Sequence, residues 1–235
     1  MTRNRIAWLR ICLAWLALAA WPPATLAQTP PSPAELARYT GLHAAAQQGD
    51  VQGIGTLLAA GADPNSRDGH GRTPLHVATF ARQRDAIRVL VEKGRADLGA
   101  LENDRYDAVT IAAVADDEQT LALLLALGAS AKLTTSRYDG TALIAAAHLG
   151  HDGVVRQLTA AGAPLDHVNN LHWTALIEAI VLGNGGKRHQ AVVRDLLAAG
   201  ASTALADRSG QSPLALARGR GYAEMAALLQ AAGAR

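Results

Sequence analysis

The sequence predicts an all-α solenoid of about six stacked repeats, and three periodic features of the chain indicate this fold. Six similar hexapeptides begin 33, 34, 34, 33 and 38 residues apart, at positions 40, 73, 107, 141, 174 and 212. A glycine that follows a leucine by four residues recurs with the same period. Residues typical of helix starts accompany the hexapeptides, and residues typical of helix ends accompany the glycines. A double period near 33 residues is typical of a stacked array and not of a globular enzyme core.

The residues at these markers suit the ends of short helices. Thr73 can cap a helix through its hydroxyl, and Pro74 stands at the first helical position, where its missing N–H costs nothing. Gly61 and its equivalents are placed to end a second helix in the left-handed conformation. The hexapeptides read TGLHAA, TPLHVA, DAVTIA, TALIAA, TALIEA and SPLALA; the leucine–glycine pairs are Leu57–Gly61, Leu90–Gly94, Leu124–Gly128, Leu158–Gly162, Leu196–Gly200 and Leu229–Gly233.

The first 27 residues have the layout of a secretory signal peptide. Arg3, Arg5 and Arg10 give a positive start, residues 11–20 form a short apolar run, and small residues lead to cleavage after Ala27. The alternative is an uncleaved membrane anchor, but a run of ten residues is about half of what a bilayer needs. A lipoprotein signal at Cys12 is disfavoured, because arginine and isoleucine precede it where small residues would be wanted.

Removal of this segment changes the charge and the redox chemistry of the chain. The remaining 208 residues carry nineteen lysines and arginines against twenty acidic side chains, a net charge of −1. This balance lacks the basic excess of a nucleic-acid-binding protein. Cys12 is the single cysteine, so the mature protein has no disulfide and no thiol nucleophile. Residues 28–33 are expected to form a Pro-rich linker, followed by the array over 34–235.

The stretch DGHGRTPLHVA, residues 68–78, resembles an ankyrin repeat, and the resemblance extends over about residues 34–235. It implies two antiparallel helices in each repeat, joined to the next pair by a β-hairpin-like finger. It also implies that the His43 and His76 rings bond to finger backbone and are structural. A Ser32–Glu35 capping box at one end, and polar Arg218 and Gln230 at the other, suit the terminal repeats of a solenoid.

The third repeat departs most from this pattern. It begins with Asp107 and lacks the proline and histidine of the second repeat, and its finger, LENDRYD, lacks a glycine. Its turn between helices has Asp116-Asp117 where another repeat has Gly49-Asp50. We expect this repeat to be intact but less rigid.

The stretch GNGGKRH, residues 183–189, explains the one long spacing as an insertion in the fifth repeat. It is not a phosphate-binding loop, since Val181 and Arg188 stand where that motif requires glycine and serine or threonine. We expect the insertion to project from the turn between two helices, the second of which starts near Gln190. Lys187 and Arg188 would then extend a binding groove.

The chain offers no strong catalytic motif. His148, His151, His167 and His172 lie near one another in sequence but lack the spacing of a zinc site. The serines lie in fingers, without the strand-turn-helix elbow of a nucleophile. We therefore expect a non-enzymatic protein without a cofactor or a resident metal. The alternative from another class is a metal-dependent hydrolase that uses the region from His148 to His172.

The resemblance implies that a partner protein lies across the fingertips and the exposed face of the first helices. Trp173, the single tryptophan after residue 27, maps to an exposed finger position, and exposed aromatic residues are typical binding anchors. The expected binding residues are Arg72, Phe80, Tyr106, Val114, Tyr138, His148, Leu149, Trp173, Val181, Leu182, Lys187 and Arg188.

The composition and the signal layout suggest an exported bacterial protein that resides in the periplasm, or is secreted, as a monomer. Exported bacterial ankyrin proteins are linked, as a group, to two roles: support of peroxide defence beside a catalase, and antagonism of a toxin. The sequence does not choose between these partners. A homo-oligomeric scaffold is a further alternative.

Overall fold

The computed structural model describes residues 28–234, and this part of the chain forms thirteen helices stacked as successive antiparallel pairs. The helices are α1 (Pro33–Leu36), α2 (Gly41–Gln48), α3 (Val51–Ala59), α4 (Pro74–Phe80), α5 (Arg84–Glu92), α6 (Ala108–Val114), α7 (Glu118–Ala126), α8 (Ala142–Leu149), α9 (Asp152–Ala160), α10 (Ala175–Val181), α11 (Lys187–Ala198), α12 (Pro213–Gly219) and α13 (Ala223–Ala231). Even-numbered helices are the first helices of the six repeats and pack on one another, as the odd-numbered ones do from α3 onward. The predicted all-α solenoid is confirmed.

Side-chain caps of the kind predicted at Thr73 mark the start of five of the six first helices. Thr73, Thr141, Thr174 and Ser212 each accept a hydrogen bond from the backbone N–H three residues later. Asp107 takes the same role in the third repeat, accepting from Thr110 N at 2.8 Å. Each cap satisfies a backbone donor that has no partner within its helix. The third repeat is therefore intact, as expected.

The core lies between neighbouring helix pairs. The alanine at one phase of each first helix is buried, which allows the next first helix to approach closely: Ala45, Ala78, Ala112, Ala146, Ala179 and Ala217. Leu90, Leu124 and Leu158, which precede the marker glycines in the inner repeats, are fully buried on the second helices. Each repeat therefore hides its apolar face only by stacking on its neighbours.

Marker glycines end most of the second helices, with one exception. Gly61, Gly128, Gly162 and Gly200 have φ angles between 78° and 96°, the left-handed region that glycine enters without steric cost. Gly94 does not. In the second repeat the left-handed residue is Arg95, at φ 55°, so the expectation for Gly94 is wrong by one position.

The fingers are hairpin-like turns held by a recurring pair of hydrogen bonds. In the second repeat, Asp68 N–H donates to Arg72 O, and the Asp68 carboxylate accepts from Arg72 N–H at 2.9 Å. The same two bonds recur in three further fingers, between Glu102 and Tyr106, Asn169 and Trp173, and Asp207 and Gln211. The remaining finger closes through a single bridge between Thr135 and Gly140. His76 Nε2–H donates to Ala100 O and Tyr106 O, and His43 Nε2–H donates to Arg72 O, which confirms the structural role of both rings.

The insertion does not project, and this expectation is wrong. Helix α11 begins at Lys187, three residues before the predicted start, and residues 183–189 fold back onto the array. His189 is buried and bonds through Nε2 to His148 O at 2.9 Å. Tyr222 donates to Gly183 O from the other side, at 3.0 Å. The first bond satisfies a carbonyl group at the end of α8, and the second ties the insertion to the sixth repeat.

The expectations about a membrane-spanning helix and about a signal peptide concern different parts of the chain. Over residues 28–234, no helix has both the length and the apolar character needed to cross a bilayer. The signal peptide at 1–27 and its cleavage after Ala27 lie outside the described residues. Helix α1 begins at Pro33, the last residue of the expected linker, with the predicted Ser32–Glu35 capping box formed.

Candidate protein-binding groove

Two of the residues expected in the groove are buried within the array, and their predicted exposure is wrong. Arg72 is 2 % exposed, because Nε donates to Asp68 Oδ2 at 2.8 Å and the guanidinium also pairs with Glu35 of helix α1. Tyr106 is 5 % exposed, and its burial raises the pKa of its hydroxyl to about 12. Both side chains follow the left-handed residue that closes a finger, so they turn into the array rather than toward solvent.

The other expected residues divide into exposed and partly buried ones. Tyr138, Leu149 and Leu182 are 48 %, 40 % and 43 % exposed, large fractions for such side chains. Lys187 and Arg188 are exposed too. Partial burial is found for Phe80, Val114, His148, Trp173 and Val181. Trp173 is therefore less accessible than its finger position suggested.

Arg188 is exposed but engaged within the chain. Its guanidinium contacts Asp116 at 2.8 Å and Asp152 at 3.0 Å, which joins the insertion to the turns of the third and fourth repeats. Asp116 is thus the partner that the unusual Asp116-Asp117 turn supplies, and we name this contact the Arg188 clasp. A side chain with two carboxylate partners is poorly placed to extend the groove toward another protein.

Exposed apolar side chains concentrate on the fourth and fifth repeats. Leu149 and Leu182 occupy the same position at the ends of adjacent helices α8 and α10. The corresponding residues of the other repeats are small or polar: Gln48, Ala81, Ala115 and Arg220. Leu171, 38 % exposed, lies at a fingertip whose neighbour carries Tyr138, and Asn170 N–H joins the two fingers by donating to Tyr138 O at 3.0 Å. We name the fingertip residues Tyr138 and Leu171, together with Leu149 and Leu182 at the far ends of the first helices, the apolar patch.

Sequence reasoning missed Leu171 and the neighbouring Val168, which is 43 % exposed. A signal for Leu171 was available. The fingertip residues of other repeats include His70, Asp104 and Ser209, so leucine at this position stands out once the fingers are aligned. Exposed apolar groups gathered on one part of a surface are a common mark of interaction sites.

Sequence reasoning also missed Glu178, a buried carboxylate beside the apolar patch. Glu178 is 5 % exposed on helix α10, at a position where the second and third repeats have Val77 and Ile111. Its Oε1 accepts from Asn169 Nδ2 at 2.8 Å, and its Oε2 lies 3.5 Å from His148 Nδ1. We name Glu178, Asn169 and His148 the Glu178 cluster.

Burial dominates the ionisation of this cluster. It raises the pKa of the Glu178 carboxyl to about 7, against a smaller lowering by the Asn169 hydrogen bond. Burial, followed by the nearby rings of His189 and His151, lowers the pKa of His148. The imidazole is therefore neutral at pH 7 and supplies no full counter-charge to the carboxylate. Asn169 replaces the acidic residue found at this finger position before the second, third and sixth repeats, and its amide can donate to Glu178 where a carboxylate could not.

The comparisons with known proteins agree with this architecture. A family model described as ankyrin repeats in three copies matches residues 42–135 and 111–207, which together exceed half of the chain. The chain belongs to the ankyrin repeat family. A putative ankyrin repeat protein of Escherichia coli K12, YahD, is 38 % identical over 191 residues, which cover 81 % of this chain and 94 % of YahD.

Solved structures of ankyrin repeat proteins superpose on this chain. An ankyrin repeat domain from Acinetobacter baumannii AYE has a TM-score of 0.78 and 46 % identity, covering 83 % of this chain and 98 % of that domain. A chain from the complex of the Bdellovibrio bacteriovorus predatory endopeptidase Bd0816 with immunity protein Bd3460 has a TM-score of 0.65 and 23 % identity, over 82 % of this chain and 98 % of that one. At that identity the second likeness shows the fold alone. Ankyrin repeat domains are in general protein–protein interaction modules.

The histidines of this ankyrin repeat protein have separate roles. His151 bonds to Ala113 O at 2.9 Å and His167 to Asp139 O at 2.6 Å, while His172 is an exposed left-handed finger residue at φ 63°. Within residues 28–234, no three histidine, cysteine or acidic side chains converge on a point that could hold a metal ion. The geometry therefore lends no support to the predicted alternative of a metal-dependent hydrolase.

Proposed function

We propose that this protein is an exported, non-catalytic ankyrin module that binds one partner protein in the bacterial periplasm. The observation that carries the proposal is the apolar patch, which lies on the fourth and fifth repeats, whereas the equivalent helix-end residues of the other repeats are small or polar. A folded protein gains nothing from leaving four large apolar side chains exposed in one region, whereas a binding surface uses them to exclude water.

Two partners fit the proposal. One is a catalase-like enzyme of peroxide defence, and the other is a toxin that the protein neutralises in the same compartment. Both follow from the resemblance to exported bacterial ankyrin proteins. A strain lacking the gene would become sensitive to peroxide in the first case and to its own toxin in the second.

The decisive experiment is capture of the partner from a periplasmic extract with matched variants. Leu149→Gln and Leu182→Arg, combined in one protein, place on the patch the residues that Gln48 and Arg220 supply at the equivalent positions of the end repeats. We expect this double variant to fold normally and to lose the partner, because surface substitutions change stability by only about 0.5 kcal/mol.

The control is Val51→Gln, which removes an exposed valine at the start of a second helix, on a different element from the patch. It should retain the partner. Equal capture by the double variant and the control would show that the patch is not the binding surface. Light scattering of the purified protein tests the monomer against a scaffold of several copies, and N-terminal sequencing of the periplasmic fraction tests cleavage after Ala27.

A further inference from the structure

The Glu178 cluster suggests which chemistry the groove recognises. The carboxylate stands on the first helix of the fifth repeat, four residues before Leu182, and Leu182 N–H donates to Glu178 O at 2.9 Å. Residues four apart on a helical turn share one face, so the carboxylate and this leucine of the apolar patch point the same way. Glu178 thus borders the surface that the proposed function assigns to the partner.

The fold itself has no need of a carboxylate here. Val77 and Ile111 occupy the equivalent position in other repeats, each 1 % exposed. Burying a carboxylate instead of an aliphatic side chain costs free energy unless the charge is paired. Asn169 satisfies one oxygen, and it does so from a finger position where other repeats carry Asp68, Glu102 or Asp207. Glu178 and Asn169 both depart from the repeat pattern, and the hydrogen bond between them holds this carboxylate in place.

The second oxygen of Glu178 is incompletely satisfied. Within residues 28–234, Oε2 makes no hydrogen bond, and its one ionic contact is His148 Nδ1 at 3.5 Å. His148 has 42 % of its side chain exposed and is neutral near pH 7, so its ring can move aside at little cost. No lysine or arginine of the described chain lies within 4.0 Å of the carboxylate.

We propose that Glu178 is the specificity-determining residue of the groove, and that its Oε2 receives a lysine or arginine side chain from the bound protein. Such side chains combine an aliphatic stem with a cationic head. The stem would lie on Leu149 and Leu182, and the head would complete the bonding of the carboxylate. A charge-assisted hydrogen bond in a desolvated site is strong and discriminates sharply against a neutral side chain. This inference rests on the proposed function and names the chemistry of its partner.

The test uses a displayed library of random dodecapeptides, selected on the purified protein and on its Glu178→Gln variant. Glutamine keeps the acceptor for Asn169 and removes the charge. We expect the wild type to enrich peptides that carry a lysine or arginine among apolar residues, and the variant to lose this enrichment. Equal enrichment on both proteins, or no basic enrichment on the wild type, would overturn the inference. Circular dichroism checks that both proteins are folded.

Calorimetry with one selected peptide and its norleucine analogue isolates the contact. Replacing the basic residue by norleucine should weaken binding to the wild type at least tenfold and binding to Glu178→Gln less than twofold. Since the cation displaces a proton from Glu178, wild-type affinity should rise between pH 6 and pH 8, and the variant should respond less. The ionisable side chain that faces the carboxylate is His148, whose ring lies near those of His151 and His189. A variant that binds the peptide as tightly as the wild type would contradict the role of Glu178.

The same assay separates this inference from the proposed function. The Leu149→Gln, Leu182→Arg protein reports on the groove, and Glu178→Gln reports on the carboxylate. If the double variant loses binding and Glu178→Gln binds normally, the groove is the binding surface but Glu178 has no role in it. Normal binding by both variants would also overturn the assignment of the groove as the binding surface.

Discussion

Two buried polar clusters lie at junctions between a finger and a first helix, and they differ in how completely their charges are paired. In the second repeat, Arg72 pairs with Asp68 and Glu35, and Tyr39 donates to Asp68 at 2.7 Å. In the fifth repeat, the Glu178 carboxylate accepts one hydrogen bond, from Asn169, and its other oxygen lies 3.5 Å from the His148 ring. We refer to the first set as the Arg72 cluster. The comparison suggests that a fully paired cluster holds the fold together, whereas a partly paired one is available to a partner.

The pKa shifts of Asp68 and Glu178 follow from how deeply each carboxylate is buried and which groups contact it. Burial acts to raise the pKa of Asp68, but hydrogen bonds from Tyr39 and Arg72 outweigh it, and the net shift is downward. Glu178 lacks such donors, so burial prevails and the pKa rises to about 7. The two pKa values therefore shift in opposite directions, because Glu178 lies deeper in the protein and fewer donors reach its carboxylate.

The largest expected effect is that of Arg72→Met on stability. This change leaves Asp68 buried without its main counter-ion, so we expect a loss of about 3–5 kcal/mol in the free energy of unfolding, measured in urea. Arg88→Met is the matched control, because Arg88 pairs with Glu92 in an exposed position and should cost less than about 0.5 kcal/mol. Similar losses from both variants would mean that the Arg72 cluster does not stabilise the fold.

The next effect is that of Glu178→Gln, and it depends on pH. The folded-state pKa of Glu178 lies above the ordinary value of 4.5, so the folded protein binds extra proton between about pH 4.5 and 7. The stability that this proton supports is lost as pH rises through that window. The variant should match the wild type near pH 4.5 and exceed it at pH 8 by on the order of 3 kcal/mol.

The difference between wild type and variant is the quantity to follow, because His76 acts in the opposite sense. Burial lowers the pKa of His76 to about 4, so its contribution is lost as pH falls from 6.5 toward 4. This term is common to both proteins and cancels. Glu92→Gln, at an exposed carboxylate, should show no such difference between pH 4.5 and 8. A constant difference between Glu178→Gln and the wild type would contradict the raised pKa.

The smallest loss of stability should come from breaking the Arg188 clasp, because its ion pairs are exposed whereas those of the other two clusters are largely buried. Arg188→Met breaks the contacts to Asp116 and Asp152 and should cost about 0.5–1 kcal/mol, with the loss shrinking at high salt. Lys187→Met removes the neighbouring exposed charge and is the control. Equal, salt-independent effects of the two variants would show that the clasp contributes nothing to stability.

Local sequence predicted some of these features and was silent on others. Thr73 was recognisable as a cap, since capping involves residues three apart. The exposure of Leu149 and Leu182 followed from their phase in the repeat. Glu178, by contrast, reads as an ordinary helix-face carboxylate, because its partners come from a finger nine residues earlier and from the preceding repeat. The burial of Arg72 was missed for the same reason, as Glu35 lies 37 residues away.

Residues within single 33-residue units were enough to predict the repeat period, the all-α class, the start of a first helix at Thr73 and the place of the insertion. The pairing and burial of the charged side chains depended on contacts between repeats. The tertiary structure folded the insertion onto Asp116 and Asp152, buried Arg72 against Glu35, and left Glu178 half paired beside the apolar patch. Stacking places side chains from different repeats within a few ångströms of one another, and pairing and desolvation, which set the energy of a charge, act at that range and not along the chain.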